Sequence, residues 1–433
     1  MVDSKINIEV FLFFAVLASC MIGAQVFGVS FAKIALVPLE LFLLFRLKKL
    51  KVRLNKEKKM LLTWFGLVLV SSFLNFVVTD SPLKGYKTLL LLNIAQTLFF
   101  HIPILFMLGG ERNIFDKMKR FVMIVAKINC VWSIVQFIAW YIFRFDFNRF
   151  FFIDVLHGFL GSREWTAWYN DSLSIAIRPT GLNHDPAFLS LLLVIGFILV
   201  ESKFWKYLFF IGTVAAMSRV GIVSIVIFFF YEKCKTGVLK INFKKAISGF
   251  FVSFAFVFFS VWLYNNNVFV ENQVDKIGSR LVSIIGSEHG DGTDRHIMYF
   301  PTAVKASIEM PVFNQLFGVG TRAGGNAYIL TETYKQVFSL NKAQQTETWS
   351  VECDPAELLL GMGVLGFVLY YYIMIYFMRK YRKKVQDQAI FLMLIIFGIM
   401  YNVSMHPLIT LLLMTAAQQS RDQQYCLEGE YAV

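Results

Sequence analysis

The stretch FWKYLFFIGTVAAMSRVGIVSIVIFFFY, residues 204–231, decides the fold. Read as one helix, it crosses a bilayer once and reverses the side of everything after it. Read as two short spans broken at Met217-Ser218-Arg219-Val220-Gly221, it crosses twice. Two observations favour the break. An Arg in mid-bilayer on a lipid face is costly. The double crossing also keeps the Lys-rich segments 232–245 and 379–388 on the same side as the other basic linkers, as the positive-inside rule requires. Arg219 then lies near the outer surface.

Working outward, apolar runs recur at about 8–28, 30–47, 60–79, 85–108, 121–143, 186–201, 246–264, 356–378, 389–405 and 408–419. With the two spans of the opening stretch they make twelve. The first run has another span directly after it, which is unlike a cleavable signal peptide. The composition agrees: of 433 residues 57% are apolar and 16% charged, with a mean hydropathy of +0.59. An ordinary globular chain is about 45–50% apolar. This balance excludes disorder, a soluble dinucleotide-binding enzyme and a disulfide scaffold. The net charge of +13 is mostly a topology signal, because 24 of the 42 Lys and Arg fall in five short linkers, 46–59, 109–120, 201–206, 232–245 and 379–388. They place both termini in the cytoplasm and face anionic lipid, with no nucleic-acid partner implied. The expected fold class is an all-α polytopic membrane protein. Its parts are spans one to five (1–143), a first outer loop (144–185), spans six to nine (186–264), a large outer loop (265–355), spans ten to twelve (356–419) and a cytoplasmic tail (420–433).

The two outer loops hold most of the polar chemistry. Neither contains GxxxxGK[ST], HExxH or CxxC. In loop 144–185, Arg144, Arg149 and Arg163, with Trp165, Trp168 and Tyr169, read first as interfacial anchors. Arg178 differs: it opens Arg-Pro-Thr-Gly-Leu-Asn-His-Asp-Pro, where Asp185 is the expected N-cap and Pro186 the first helical residue. A cation ahead of a helix N-terminus favours anions. In loop 265–355, Arg322 lies in the glycine-rich run 316–325, which either lets backbone approach a phosphate or is a flexible loop. Segment 294–310 has the spacing of an amphipathic helix on the membrane surface. His289 and His296 read as surface residues rather than metal ligands. The loop ends in Glu352-Cys353-Asp354-Pro355-Ala356-Glu357. Asp354 and Glu357 fit a capping box. Glu352 does not, and it is placed to accept a proton from a hydroxyl or else to be a solvated loop residue.

These residues, in this order, resemble the O-antigen polymerase and ligase family of bacterial polysaccharide assembly. The resemblance runs from about residue 120. It rests on Arg178-Pro-Thr-Gly…His184-Asp185-Pro186, on Ser218-Arg219-Val-Gly221, on Asp294-Arg295 followed by Phe317-Gly-Val-Gly320, and on Glu352…Leu358-Leu-Leu-Gly-Met-Gly363-Val-Leu-Gly366. It implies a GT-C-like glycosyltransferase in the bacterial cytoplasmic membrane, with active loops on the outer side. It also implies undecaprenyl-pyrophosphate-linked glycans as donor and acceptor, no cofactor and no metal, and a separate chain-length regulator as partner. By the motif match Arg178, Arg219 and Arg295 would hold the pyrophosphates, with His184 and Arg322 beside them among the substrate-binding residues. A guanidinium suits that task because it is always charged and bidentate.

The ligase branch usually carries a His-Asn pair before its Leu-rich span. Here Glu352 and Cys353 stand there, and Glu352 with Asp354 makes the acidic pair seen in many polymerases. The catalytic base is then Glu352, Asp354 or a histidine from elsewhere in the loop. The alternatives are an O-antigen ligase acting on a lipid A core and a lipid-linked sugar transporter or flippase. A transporter would have to use Lys33 and Lys127, the main cations inside the expected spans.

Overall fold

The structure is a computed structural model, and it describes residues 2–20, 25–26, 29–30, 54–108, 113–143, 145–151, 178–183, 185–216, 218–237, 292–336, 340 and 342–418. Helix α1 is Val2–Cys20, followed by a two-residue antiparallel pair, Gln25–Val26 with Val29–Ser30. The first helix therefore stops short of the expected residue 28. Next come α2 (Lys56–Val78), α3 (Tyr86–Met107), α4 (Ile114–Phe143), α5 (Pro186–Leu199), α6 (Lys203–Ala215) and α7 (Arg219–Lys235). The remaining helices are α8 (Gly292–Glu309), α9 (Val312–Phe317), α10 (Gly325–Thr331), α11 (Asp354–Lys380), α12 (Val385–Met400) and α13 (Pro407–Ala416). The expected spans 30–47 and 246–264 and the tail 420–433 lie outside the described residues.

Four of these helices, α2, α3, α4 and α11, are long and apolar enough to cross a membrane. Shorter apolar helices pack among them, and the protein is membrane-embedded. The chain divides into two units, Met1–Phe228 with Tyr299–Val433, and Phe229–Met298. Among described residues the second unit holds only the last turns of α7 and the first turns of α8.

Helix α5 is the axis of the first unit. Its apolar residues run all round, and Leu189, Leu191, Leu192, Leu193, Val194, Ile195 and Ile198 are buried among α4, α6 and α12. Small residues set the spacing. A Cβ at Gly196 would meet Ala126 and Phe209, and one at Gly221 would meet Thr213 and Ser190. Helices that gain no hydrophobic drive to associate in lipid rely on such close backbone approach. The break between α6 and α7 falls where Arg219 and the charge count put it.

The end of the bundle that carries the basic linkers is flush. Asn55 caps α2 and donates to the Ala417 carbonyl at 2.8 Å. Gln418 donates to Leu105 O at 2.8 Å, and Lys380 and Tyr381 both donate to Ala416 O. Two buried ion pairs join the same level: Lys380 with Glu57 at 3.1 Å, and Lys119 with Asp387 at 2.6 Å. Helix lengths then differ at the other end. The 10 residues of α13 rise about 15 Å and the 23 of α2 about 34 Å. The short helices therefore end below the far ends of the long ones at the loop-bearing end. Chain from 178–183, 316–325 and 401–406 packs there against the helices.

Helix α11 is broken to receive one of those fillers. Gly363 sits at φ 68° and ψ −175°, and the chain resumes as helix beyond it. The break frees the carbonyls of Leu360 and Gly361, which accept from the N–H groups of Val319 and Gly320 at 2.8 and 2.9 Å. The span expected at 356–378 is therefore two helical pieces around a docked loop. The helix expected at 294–310 forms as α8. It buries Tyr299, Ala303, Ala306 and Met310 against Val319, Tyr328, Val351 and Leu360, so this face is covered by protein.

Candidate functional site

The turn ahead of α5 is bolted to α4. Gln136 Oε1 accepts from the N–H of both Thr180 and Gly181 at 3.1 Å, and Asn129 Oδ1 accepts from Leu182 N at 2.9 Å. Gly181 has φ +63°, and a Cβ there would lie 2.8 Å from Asn129 Oδ1, so no side chain fits. Asp185 then caps α5, accepting from Ala187 N, with Pro186 in the first turn as the sequence indicated.

Fixed in this way, Arg178 reaches the C-terminal end of α6. Its Nε donates to the Ala216 carbonyl at the C-terminus of α6, 3.2 Å away, where the helix dipole favours a cation. Its guanidinium also hydrogen-bonds the Tyr401 hydroxyl. Arg219 and Asp185 act electrostatically on that same hydroxyl. Burial pushes the phenol up from its ordinary value and the two guanidiniums oppose that shift, which leaves it protonated at neutral pH. Arg219 is placed by its neighbour: Ser218 accepts from Gly221 N and starts α7. Arg178 and Arg219, 41 positions apart in the sequence, thus both act on one half-buried tyrosine.

The segment 401–406 links this cluster to a second one. Ser404 N donates to Asp354 Oδ1 at 2.8 Å, and Met405 O accepts from Arg322 Nη2 at 2.9 Å. His406 caps α13 and stacks on Phe188 with ring centroids 4.4 Å apart. Arg322 itself has φ +62°, a left-handed conformation that the surrounding bonds impose. Burial pulls its guanidinium below the ordinary value, and the Glu357 carboxylate counters that. Beside it lies a cavity of about 30 Å³ lined by Asn93, Gln96, Thr97, His101 and Ser404. That is room for a water or two among polar partners.

Several expectations change here. The cap of α11 is Cys353, and Asp354 is its first helical residue. One oxygen of the Asp354 carboxylate accepts from Ser404 N, and Gly398 leaves space for the other. Glu357 does not close a capping box. It accepts from Val351 N at 2.7 Å, from Gly324 N at 3.3 Å and from Arg322 N. The glycine-rich run 316–325 does not offer its backbone to an anion: the N–H groups of residues 318–320 and 322–326 are bonded within the protein. Its glycines allow close packing instead. A Cβ at Gly318 would lie 2.3 Å from Gly361 C, and one at Gly363 would lie 2.3 Å from Leu316 C. Carbonyls of the run accept from Ser71, Asn75, Tyr86 and Asn93.

Of the seven residues singled out, Arg178 and Arg219 therefore both act on Tyr401, and the 401–406 segment links that residue to Arg322 and Asp354. Glu352 is exposed, one residue outside the buried Cys353. His184 and the Arg295 side chain lie outside the described residues, as do Arg163 and residues 265–291. Sequence reasoning missed Tyr401, Ser404 and His406, whose run Tyr-Asn-Val-Ser-Met-His had been assigned in part to a span ending at 405. Its polar alternation was the available signal. Among described residues no three His, Cys, Asp or Glu side chains cluster as a metal site. Comparison of the chain with protein-family models and with curated proteins returns no match.

Proposed function

We propose that this protein is a membrane glycosyltransferase of twelve spans and GT-C-like architecture. It would polymerise undecaprenyl-pyrophosphate-linked oligosaccharide repeats into O-antigen or a related surface polysaccharide. The observation that carries the reading is that Arg178 and Arg219 both act on Tyr401. A pyrophosphate leaving group gathers negative charge as the glycosidic C–O bond breaks, and two preorganised guanidiniums stabilise that charge. A lipid-borne substrate would bring its headgroup to these arginines while its tail stays between helices.

In this reading Glu352, exposed beside the buried start of α11, takes the proton from the attacking hydroxyl of the acceptor repeat. Asp354 supports the site by holding Ser404, and so the 401–406 turn that carries Tyr401. Arg322 sits behind that turn and holds Met405. The donor chain would be released from its lipid pyrophosphate as the new glycosidic bond to the acceptor hydroxyl forms, so donor and acceptor must both reach the arginines.

Purified protein in nanodiscs, given defined lipid-linked repeats, tests the proposal. A ladder of longer glycans is expected from the wild type, and Arg178→Ala or Arg219→Ala should abolish it while the protein stays folded. Lys at either position should rescue poorly, because a point charge lacks the fork. Movement of the lipid across the bilayer without new bonds, or full activity in both Ala variants, would overturn it.

A further inference from the structure

We propose that the groove between α4 and α6 is a binding site for one anionic phospholipid, gripped by Lys127. The groove has a volume of about 370 Å³ and is lined by Lys127, Val131, Trp132, Val135, Phe147 and Trp205. Every one of these side chains but Lys127 is aliphatic or aromatic. On α4 the residues Ile128, Val131 and Val135 are exposed at helical spacing, while Val125, Asn129, Ser133 and Gln136 turn inward nearly opposite. The groove therefore opens to the bilayer on a face other than the one that holds the arginine cluster.

Its polarity is lengthwise. Lys127 to Val135 covers about 12 Å of helix rise, with the cation at one end and hydrocarbon along the rest. The Lys127 ammonium lies 4.9 Å from the centroid of the Trp205 ring. Among the described residues no carboxylate forms an ion pair with it. Trp205 belongs to the first turn of α6, beside Lys203 and Lys206, the aromatic and basic mix found at headgroup depth. A cation in such a slot is best matched by an anion that brings its own hydrocarbon. A phosphatidylglycerol-like lipid does so, with its phosphate on Lys127 and a chain along Val131 and Val135. The floor also connects inward. Trp132 Nε1 donates to Asn148 Oδ1 at 2.7 Å, and Asn148 Nδ2 donates to Thr180 Oγ1 at 3.2 Å, two residues from Arg178.

Native mass spectrometry of the full chain in mild detergent, with phosphatidylglycerol or phosphatidylcholine added, tests the assignment. The wild type should retain one phosphatidylglycerol with about tenfold preference, Lys127→Met and Lys127→Ala should lose that preference, and Lys206→Ala should keep it. A second measurement needs no charge change: brominated phosphatidylglycerol should quench wild-type tryptophan fluorescence more than brominated phosphatidylcholine, and Trp132→Phe with Trp205→Phe, the two tryptophans that line the groove, should remove the excess. Equal retention or equal quenching by the two lipids in the wild type would overturn the site. Undiminished preference in the Lys127 variants would also overturn it.

Discussion

Gly318 and Gly363 form a reciprocal clasp. Each would drive a Cβ into the other's neighbouring backbone, and each occupies a backbone region open in practice only to glycine: φ 71° with ψ −168°, and φ 68° with ψ −175°. Gly318→Ala should therefore carry backbone strain of about 1–3 kcal/mol. Overpacking against Gly361 adds a further 1–3 kcal/mol or so. The bonds from Val319 and Gly320 to the freed carbonyls of α11 would lengthen as the loop lifts. Gly363→Ala should cost the same order. The double variant should cost less than the sum, because the clasp is already open. Gly66→Ala is the control. It lies inside α2 with nothing within 4 Å of its Cβ position, so alanine there should be neutral or stabilising by about 0.5–1 kcal/mol. Buried thiols give the readout: Cys20, Cys130 and Cys353 should react with a thiol-specific dye only as the protein opens, whereas Cys234 is exposed from the start. A Gly318→Ala protein that melts with the wild type, or a strictly additive double variant, would refute the clasp.

Other expectations are independent of it. Gln136→Ala removes the acceptor shared by Thr180 and Gly181, leaving donors unsatisfied at about 1–3 kcal/mol each. It should lower polymer formation without loss of membrane insertion, as scored by activity per folded protein. Glu57→Leu alone strands a buried Lys380 and should destabilise by about 3–5 kcal/mol, whereas Glu57→Leu with Lys380→Met should recover most of that in thermal melts. Tyr401→Phe should weaken polyprenyl pyrophosphate binding while leaving the melting temperature near the wild-type value. Equal loss of both would make Tyr401 a packing residue only.

What the sequence disclosed depended on how local the cause was. The split of 204–231 was legible because one arginine and the charge of two linkers, one adjoining it and one distant, favour it. The cap at Asp185 and Pro186 was legible because its partner is two residues away. Asp354 and Glu357 misled for the same reason. Their spacing satisfies a local capping pattern, but Asp354 is claimed by Ser404, 50 positions away, and Glu357 is shared between Val351, 6 positions away, and Gly324, 33 positions away. The glycine run left an anion cradle and a flexible loop both open, because glycine permits ligand approach, flexibility and close packing alike. Only the break at Gly363 shows which of these it serves. The polar turn at 401–406 was hidden by Val403 and Met405, which carry the average hydropathy of a span.

The most direct measurement is the affinity of polyprenyl pyrophosphate and polyprenyl monophosphate for the wild type, for Arg178→Ala, for Arg219→Ala and for the double variant. The account expects a preference for the diphosphate that either single change largely removes, with the double variant little worse than the singles, since both forks grip one headgroup. Wild-type affinity and selectivity in the double variant would contradict it.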